Sequence, residues 1–126
     1  MVTVSFPAPR EVAFDYLADP RNRPGWQSSL ARVEEVVGDV GVGQTWIDVT
    51  RPGLRPRMET TELDRPRRWT ERGSWRRIVV TLTLTFAETA TGCDVTATIA
   101  APRPLRLLAR CAVRADLRRA ASTFSP

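Results

Sequence analysis

Apolar and polar residues alternate at the start of the chain, Val2, Val4 and Phe6 against Thr3 and Ser5, the period of a strand half buried on a core. Pro9 then suits the first turn of a helix, where its missing N–H costs no hydrogen bond. The pattern predicts a helix over residues 9–18, with Glu11 near the positive end of its dipole and Asp19-Pro20 as its stop. A second, short helical turn within residues 21–29 carries Trp26. Next comes a meander of strands at 31–37, 44–51, 55–63 and 68–72, separated by a glycine turn at 38–43, Pro52-Gly53 and Asp64-Arg65-Pro66. Gly73-Ser74 reads as a further turn opening the longest strand, 76–88. There Ile78, Val80, Leu82, Leu84 and Phe86 share one face while Val79, Thr81, Thr83 and Thr85 share the other. The last strand, 93–100, sets Val95, Ala97 and Ile99 against Asp94, Thr96 and Thr98.

From Pro102 the period changes to that of a helix ending near Phe124. At about 100° per residue, Leu105, Leu108, Ala109, Ala112, Val113, Ala115 and Ala120 form an apolar face opposite Arg103, Arg106, Arg110, Arg114 and Arg118. Asp116 and Arg119 fall on the apolar side, where they are expected to pair with each other or with a strand residue. The expected fold is α+β: a seven-stranded curved antiparallel sheet, two short N-terminal helices and one long C-terminal helix in a helix-grip arrangement. The alanines leave volume between helix and sheet for a ligand, although close packing against Leu82, Leu84 and Phe86 would also satisfy the pattern.

The segments PAPREVAFDYLADPRNRPGW, GVGQTW and ETTELDRPRRW, with the long closing helix, make the chain resemble the polyketide cyclase/START-like superfamily, also called Bet v 1-like or SRPBCC. The resemblance spans nearly the whole chain. It implies the helix-grip fold and a small hydrophobic ligand, and it leaves function open among aromatic cyclases, lipid carriers and receptors.

Length and composition narrow the choice. The 126 residues make one domain, 1–126, large enough for a core and a pocket. No stretch approaches the ~20 apolar residues of a membrane span, and the first residues read as strand and not as a signal peptide, so a cytoplasmic protein is expected. All 19 basic residues are arginine and there is no histidine, which removes an imidazole base and the commonest metal ligand. Cys93 and Cys111 form neither a zinc spacing nor a disulfide framework and read as buried thiols. No metal and no cofactor is expected. The 38–43 glycines precede a strand and lack the lysine of a phosphate loop.

Alternation nominates the lining of a pocket. Trp69 and Glu71 face inward beside Val80, Leu82 and Leu84; Trp46 and Asp48 share one face and Met58, Thr60 and Glu62 another, with the register open by one residue. Trp26, Trp46 and Trp69 offer flat walls for an aromatic, polyketide or lipid-like ligand, and read equally well as plugs of a core. Leu108 and Ala112 would close the pocket from the helix. Glu71 or Glu62, desolvated there, could serve as general acid or base, with an inward Arg76 holding a developing oxyanion, as in a cyclase or dehydratase. A different class of function follows from charge: the last helix carries six arginines against Asp116 alone, while the other arginines and acids balance. Arg103, Arg106, Arg110, Arg114 and Arg118 could bind anionic lipid, RNA or an acidic partner without any catalysis. Monomer and dimer remain equally open.

Overall fold

Seven strands pair in the order β1-β7-β6-β5-β4-β3-β2, every neighbour antiparallel. They are β1 (Val2–Phe6), β2 (Leu30–Val37), β3 (Thr45–Thr50), β4 (Arg57–Asp64), β5 (Arg68–Trp75), β6 (Ile78–Thr89) and β7 (Gly92–Ala100). A computed structural model describes residues 1–125. Between the edge strands β1 and β2 the chain forms α1 (Arg10–Ala18), a 3₁₀ turn (Pro20–Asn22) and the four-residue α2 (Arg23–Trp26); α3 (Arg103–Ser122) closes the chain. The result is the expected helix-grip arrangement on a curved sheet. No helix among the described residues is long and apolar enough to cross a membrane.

Alternation decides the sheet's two faces. Val2, Val4, Phe6, Trp69, Leu84, Phe86, Val95 and Ala97 are buried on the inner face, where α1 adds Ala13, Phe14 and Leu17. The outer face carries a polar ladder in which Thr3 bonds Thr96 and Thr70 bonds Thr83, both at 3.0 Å.

Two irregularities overturn expectations from the pattern. Gly73 is not a turn: it pairs with Met58 on one side and Val80 on the other, and β5 runs on to Trp75. A Cβ at Gly73 would come within 2.9 Å of the Met58 Sδ, so this glycine makes room for a neighbouring side chain. The turn lies at Arg76, whose φ of 54° is left-handed and whose guanidinium stacks on the Trp75 ring at 4.7 Å. In β4 the register shifts between Thr60, opposite Glu71, and Glu62, opposite Thr70, leaving Thr61 as a bulge. The extra residue sends Glu62 to the outer face.

The helix α3 is anchored at its C-terminal half only. Leu117, Ala120 and Ala121 are buried, and Phe124 stacks on Tyr16 of α1 at 5.4 Å and on Phe6 of β1 at 6.2 Å. Its main contacts are with β1, β7 and α2, so its N-terminal half stands off the centre of the sheet. The expected apolar face is therefore only partly used: Leu105 and Leu108 are exposed, the latter at 71%, as is Leu107, which lies outside that face.

Candidate functional site

The local sequence around α2 decides the site. Asp19 caps the 3₁₀ turn by accepting from the Arg21 backbone N–H at 3.0 Å, and Pro24 fixes the first turn of α2. Gly25 lets the Tyr16 hydroxyl come close: a Cβ there would sit 3.2 Å from that oxygen. Three residues apart on one turn, Arg23 and Trp26 both point into the molecule, and both are buried.

Arg23 is 1% exposed and meets two carboxylates on the inner face of the sheet. Its Nη1 donates to Glu71 Oε2 at 2.7 Å and its Nη2 to Glu71 Oε1 at 3.1 Å, a two-pronged bond, while Nη2 also reaches Asp48 Oδ2 at 3.4 Å. The other Asp48 oxygen accepts from the Trp46 indole N–H at 2.9 Å. The guanidinium lies over two indoles, 5.5 Å from the Trp26 ring and 5.6 Å from that of Trp46. The Arg23 Nε is buried without a partner.

Beside this cluster lies a cavity of about 290 Å³, close to the lower end of the range for small-molecule sites. Ile78, Val80, Leu82, Ile99, Ala109 and Val113 make its apolar wall. Arg23, Asp48, Glu71, Asp116 and Gln27 make its polar end, and the Gln27 Oε1 is buried without a partner. Two grooves of similar size lie elsewhere. One is on the outer face among Glu35, Arg57, Glu59 and Arg72, and the other is beside the start of α1; neither has such an apolar wall.

The polar end carries three carboxylates and one cation. Burial pushes the Glu71 carboxyl above the usual carboxylate range; Arg23 pulls it back, while the Asp48 charge acts with burial. Burial likewise raises Asp116, against two bonds donated by the Ser28 backbone N–H and hydroxyl at 3.3 Å. Burial works to strip Arg23 of its charge, and the charges of Glu71 and Asp48 more than reverse this.

The partner of Asp116 is therefore the loop after α2 and not Arg119 or a strand. Asp116→Ala removes both bonds and should lower stability by about 1 kcal/mol, whereas exposed Arg110→Ala should stay within about 0.5 kcal/mol of the parent in urea melts. Equal effects would mean that the Ser28 bonds add nothing.

Of the residues nominated from sequence, Met58, Glu71, Val80, Leu82 and Ala112 line the cavity. Trp26 and Trp46 do not line it and instead flank Arg23; Trp69 and Leu84 are sealed in the core opposite each other on β5 and β6. Leu108 points to solvent because α3 has lifted off at that level. Glu62, turned outward by the bulge, bonds Arg68 at 2.8 Å and Thr70 at 2.9 Å, and Arg76 sits on the exposed hairpin, so neither reaches the cavity. Cys93 is buried but Cys111 is exposed. Sequence reasoning missed Arg23, whose one signal is its place before Pro-Gly-Trp on a helical turn three residues from Trp26.

A family model described as polyketide cyclase / dehydrase and lipid transport matches residues 1–124. The chain belongs to this family. No functionally curated protein matches it in sequence. Among solved structures, this polyketide cyclase/dehydrase family member is similar to protein CV1439 from Chromobacterium violaceum, at 17% identity and a TM-score of 0.77 over 99% of this chain and 96% of that one. It is similar to the di-domain ARO/CYC StfQ from the steffimycin biosynthetic pathway, at 16% identity and a TM-score of 0.79 over 97% of this chain and 48% of that one. It is also similar to Ara h 8.0201, at 11% identity and a TM-score of 0.79 over 97% and 93% of the two chains. At these identities the likeness shows the Bet v 1-like fold alone.

Proposed function

We propose that residues 1–126 act as one domain that binds a small, largely apolar molecule, aromatic or polyketide-like, and that Glu71 moves a proton to or from it in a cyclase or dehydratase step. The observation that carries this reading is the position of Glu71: a desolvated carboxyl with a raised pKa at the polar end of an otherwise apolar cavity. A β-hydroxyketone in that cavity would lose its α-proton to the Glu71 carboxylate and take the same proton back on the leaving hydroxyl, which departs as water. The excess of carboxylates over Arg23 favours a ligand whose polar end donates hydrogen bonds and disfavours one ending in a carboxylate. Family membership and the likeness to an ARO/CYC support the ligand class. The cysteines are unpaired, which suits action in the reducing cytoplasm.

The test is titration with hydrophobic dyes and hydroxylated aromatic compounds, followed through tryptophan fluorescence, since Trp75 lines the cavity. Ala109→Phe should weaken binding about tenfold or more with little change in melting temperature, a loss of roughly 1.4 kcal/mol or more. Ala112→Phe, at the exposed rim, should do less. Glu71→Gln should still bind, while dehydration of a model β-hydroxyketone falls by about 10²-fold or more. If the parent protein binds none of these compounds, or Ala109→Phe binds them as well as the parent does, the cavity is not the site. Binding with no turnover by the parent would leave a carrier and remove the enzyme, and turnover unchanged by Glu71→Gln would remove Glu71 as the proton-transfer group.

A further inference from the structure

The surface of α3 carries two features that the cavity does not use. Arg103, Arg106, Arg110, Arg114, Arg118 and Arg119 are all exposed, and none makes a salt bridge among the described residues. Elsewhere Arg10, Arg21, Arg23, Arg32, Arg55, Arg65, Arg67 and Arg68 each have an acidic partner, and although Arg51, Arg57, Arg72, Arg76 and Arg77 do not, the arginines outside α3 are equalled in number by acids. The one acid of α3, Asp116, is turned inward. So the chain's net charge of +5 is carried by one helix, whose arginines have no acidic partner among the described residues.

The second feature is apolar. Leu107 and Leu108 are each 71% exposed and Leu105 is 37% exposed, within the first two turns of that helix. At about 100° per residue, Leu105 and Leu108 share one side of the helix and Arg103, Arg110 and Arg114 the other, with Leu107 set between Arg114 and Arg118. Exposed leucines bordered by unpaired arginines match the surface of a bilayer, in which acyl chains lie just beneath anionic headgroups. A second copy of the chain would bring arginines against arginines and is disfavoured. RNA would use the arginines but leave the leucines in water, and no aromatic side chain lies among them for base stacking.

We infer that the N-terminal half of α3 is a peripheral membrane-docking element, which inserts Leu105, Leu107 and Leu108 among the lipids of an anionic leaflet and sets its arginines on the phosphates. This stands whether or not the cavity binds a ligand.

The experiment is cosedimentation with phosphatidylcholine vesicles, with and without phosphatidylglycerol, at low and high salt. The parent protein should bind the anionic vesicles and be released by salt, and should bind pure phosphatidylcholine at least about tenfold more weakly. Arg106→Gln/Arg110→Gln/Arg114→Gln should lose about a hundredfold in affinity. Leu107→Ser/Leu108→Ser, with every charge in place, should lose about tenfold or more. All these side chains are exposed, so the melting temperatures should match the parent's; if the leucine pair unfolds the protein, Leu108→Ser alone provides the same comparison. No binding to anionic vesicles overturns the inference. So does binding that needs the arginines but is indifferent to the leucines, which would indicate a purely electrostatic partner such as RNA; a poly(U) arm would show it directly.

Discussion

Replacing Arg23 by methionine is expected to cost about 3–5 kcal/mol, enough to remove much of the stability of a domain this size. Methionine fills similar space, so the loss comes from charge: Glu71 and Asp48 stay buried at 4% and 3% exposure with no cation between them. The pH dependence separates this cause from lost packing. The Glu71 carboxyl already titrates above its ordinary value in the parent, so its contribution to stability is greatest when it is protonated and declines as pH rises through that window. Without Arg23 the carboxyl moves further up, so the deficit of Arg23→Met should be largest near neutrality and shrink as pH falls towards the ordinary carboxylate range. Urea melts between neutral and mildly acidic pH give the comparison. A deficit constant across that range would assign the loss to packing.

The exposed pairs act in the opposite sense. Asp15, Glu34 and Glu62 are held below their usual values, chiefly by hydrogen bonds from Arg65, Arg32 and Arg68. Their contribution is lost as pH falls through those lowered values. They lie in water, where such pairs add little, so the buried cluster should dominate the profile.

Much of the fold is legible in the sequence because a period of two over strands and a change of period at Pro102 are dictated by which side is wet. The faces of β6 and β7 follow directly from Ile78 to Phe86 and from Val95 to Ile99. The misreadings have local causes. Gly73 looks like a turn, and only the space needed by Met58 on the neighbouring strand reveals its role. Glu62 appears to share a face with Met58 and Thr60 until one extra residue, Thr61, reverses the alternation. Leu108 looks buried because helical periodicity shows which residues share a side, and not whether anything lies opposite.

The site was harder to read than the fold for the same reason. Its centre comes from three separate stretches, α2, β3 and β5, and only tertiary packing brings them together. Arginine is so frequent in this chain that nothing in its type distinguishes Arg23 from its exposed neighbours. The tryptophans are visible as large apolar side chains, but two of them contact a guanidinium and a third sits in the core.

Removing all three charges should undo the damage of removing one. The variant Arg23→Met/Asp48→Asn/Glu71→Met leaves no ion in this cluster, and the asparagine oxygen can still accept the Trp46 indole N–H that Asp48 accepts at 2.9 Å. Desolvating three ionic groups costs free energy that their mutual attraction only partly returns, so this variant should melt at or above the parent, by up to about 1–4 kcal/mol, and well above Arg23→Met. Its apolar wall, from Ile78 to Val113, is unchanged, so hydrophobic dyes should still bind. Hydroxylated ligands should bind more weakly, and turnover of a β-hydroxyketone should fall by about 10²-fold or more, because the carboxyl that takes the proton is gone and the one left at the cavity, Asp116, is held by Ser28. A stable, dye-binding, inactive protein would show that the charges are kept for chemistry at a cost in stability. A triple variant less stable than Arg23→Met would show instead that the cluster holds α2 to the sheet, and Glu71 would lose its claim to a chemical role.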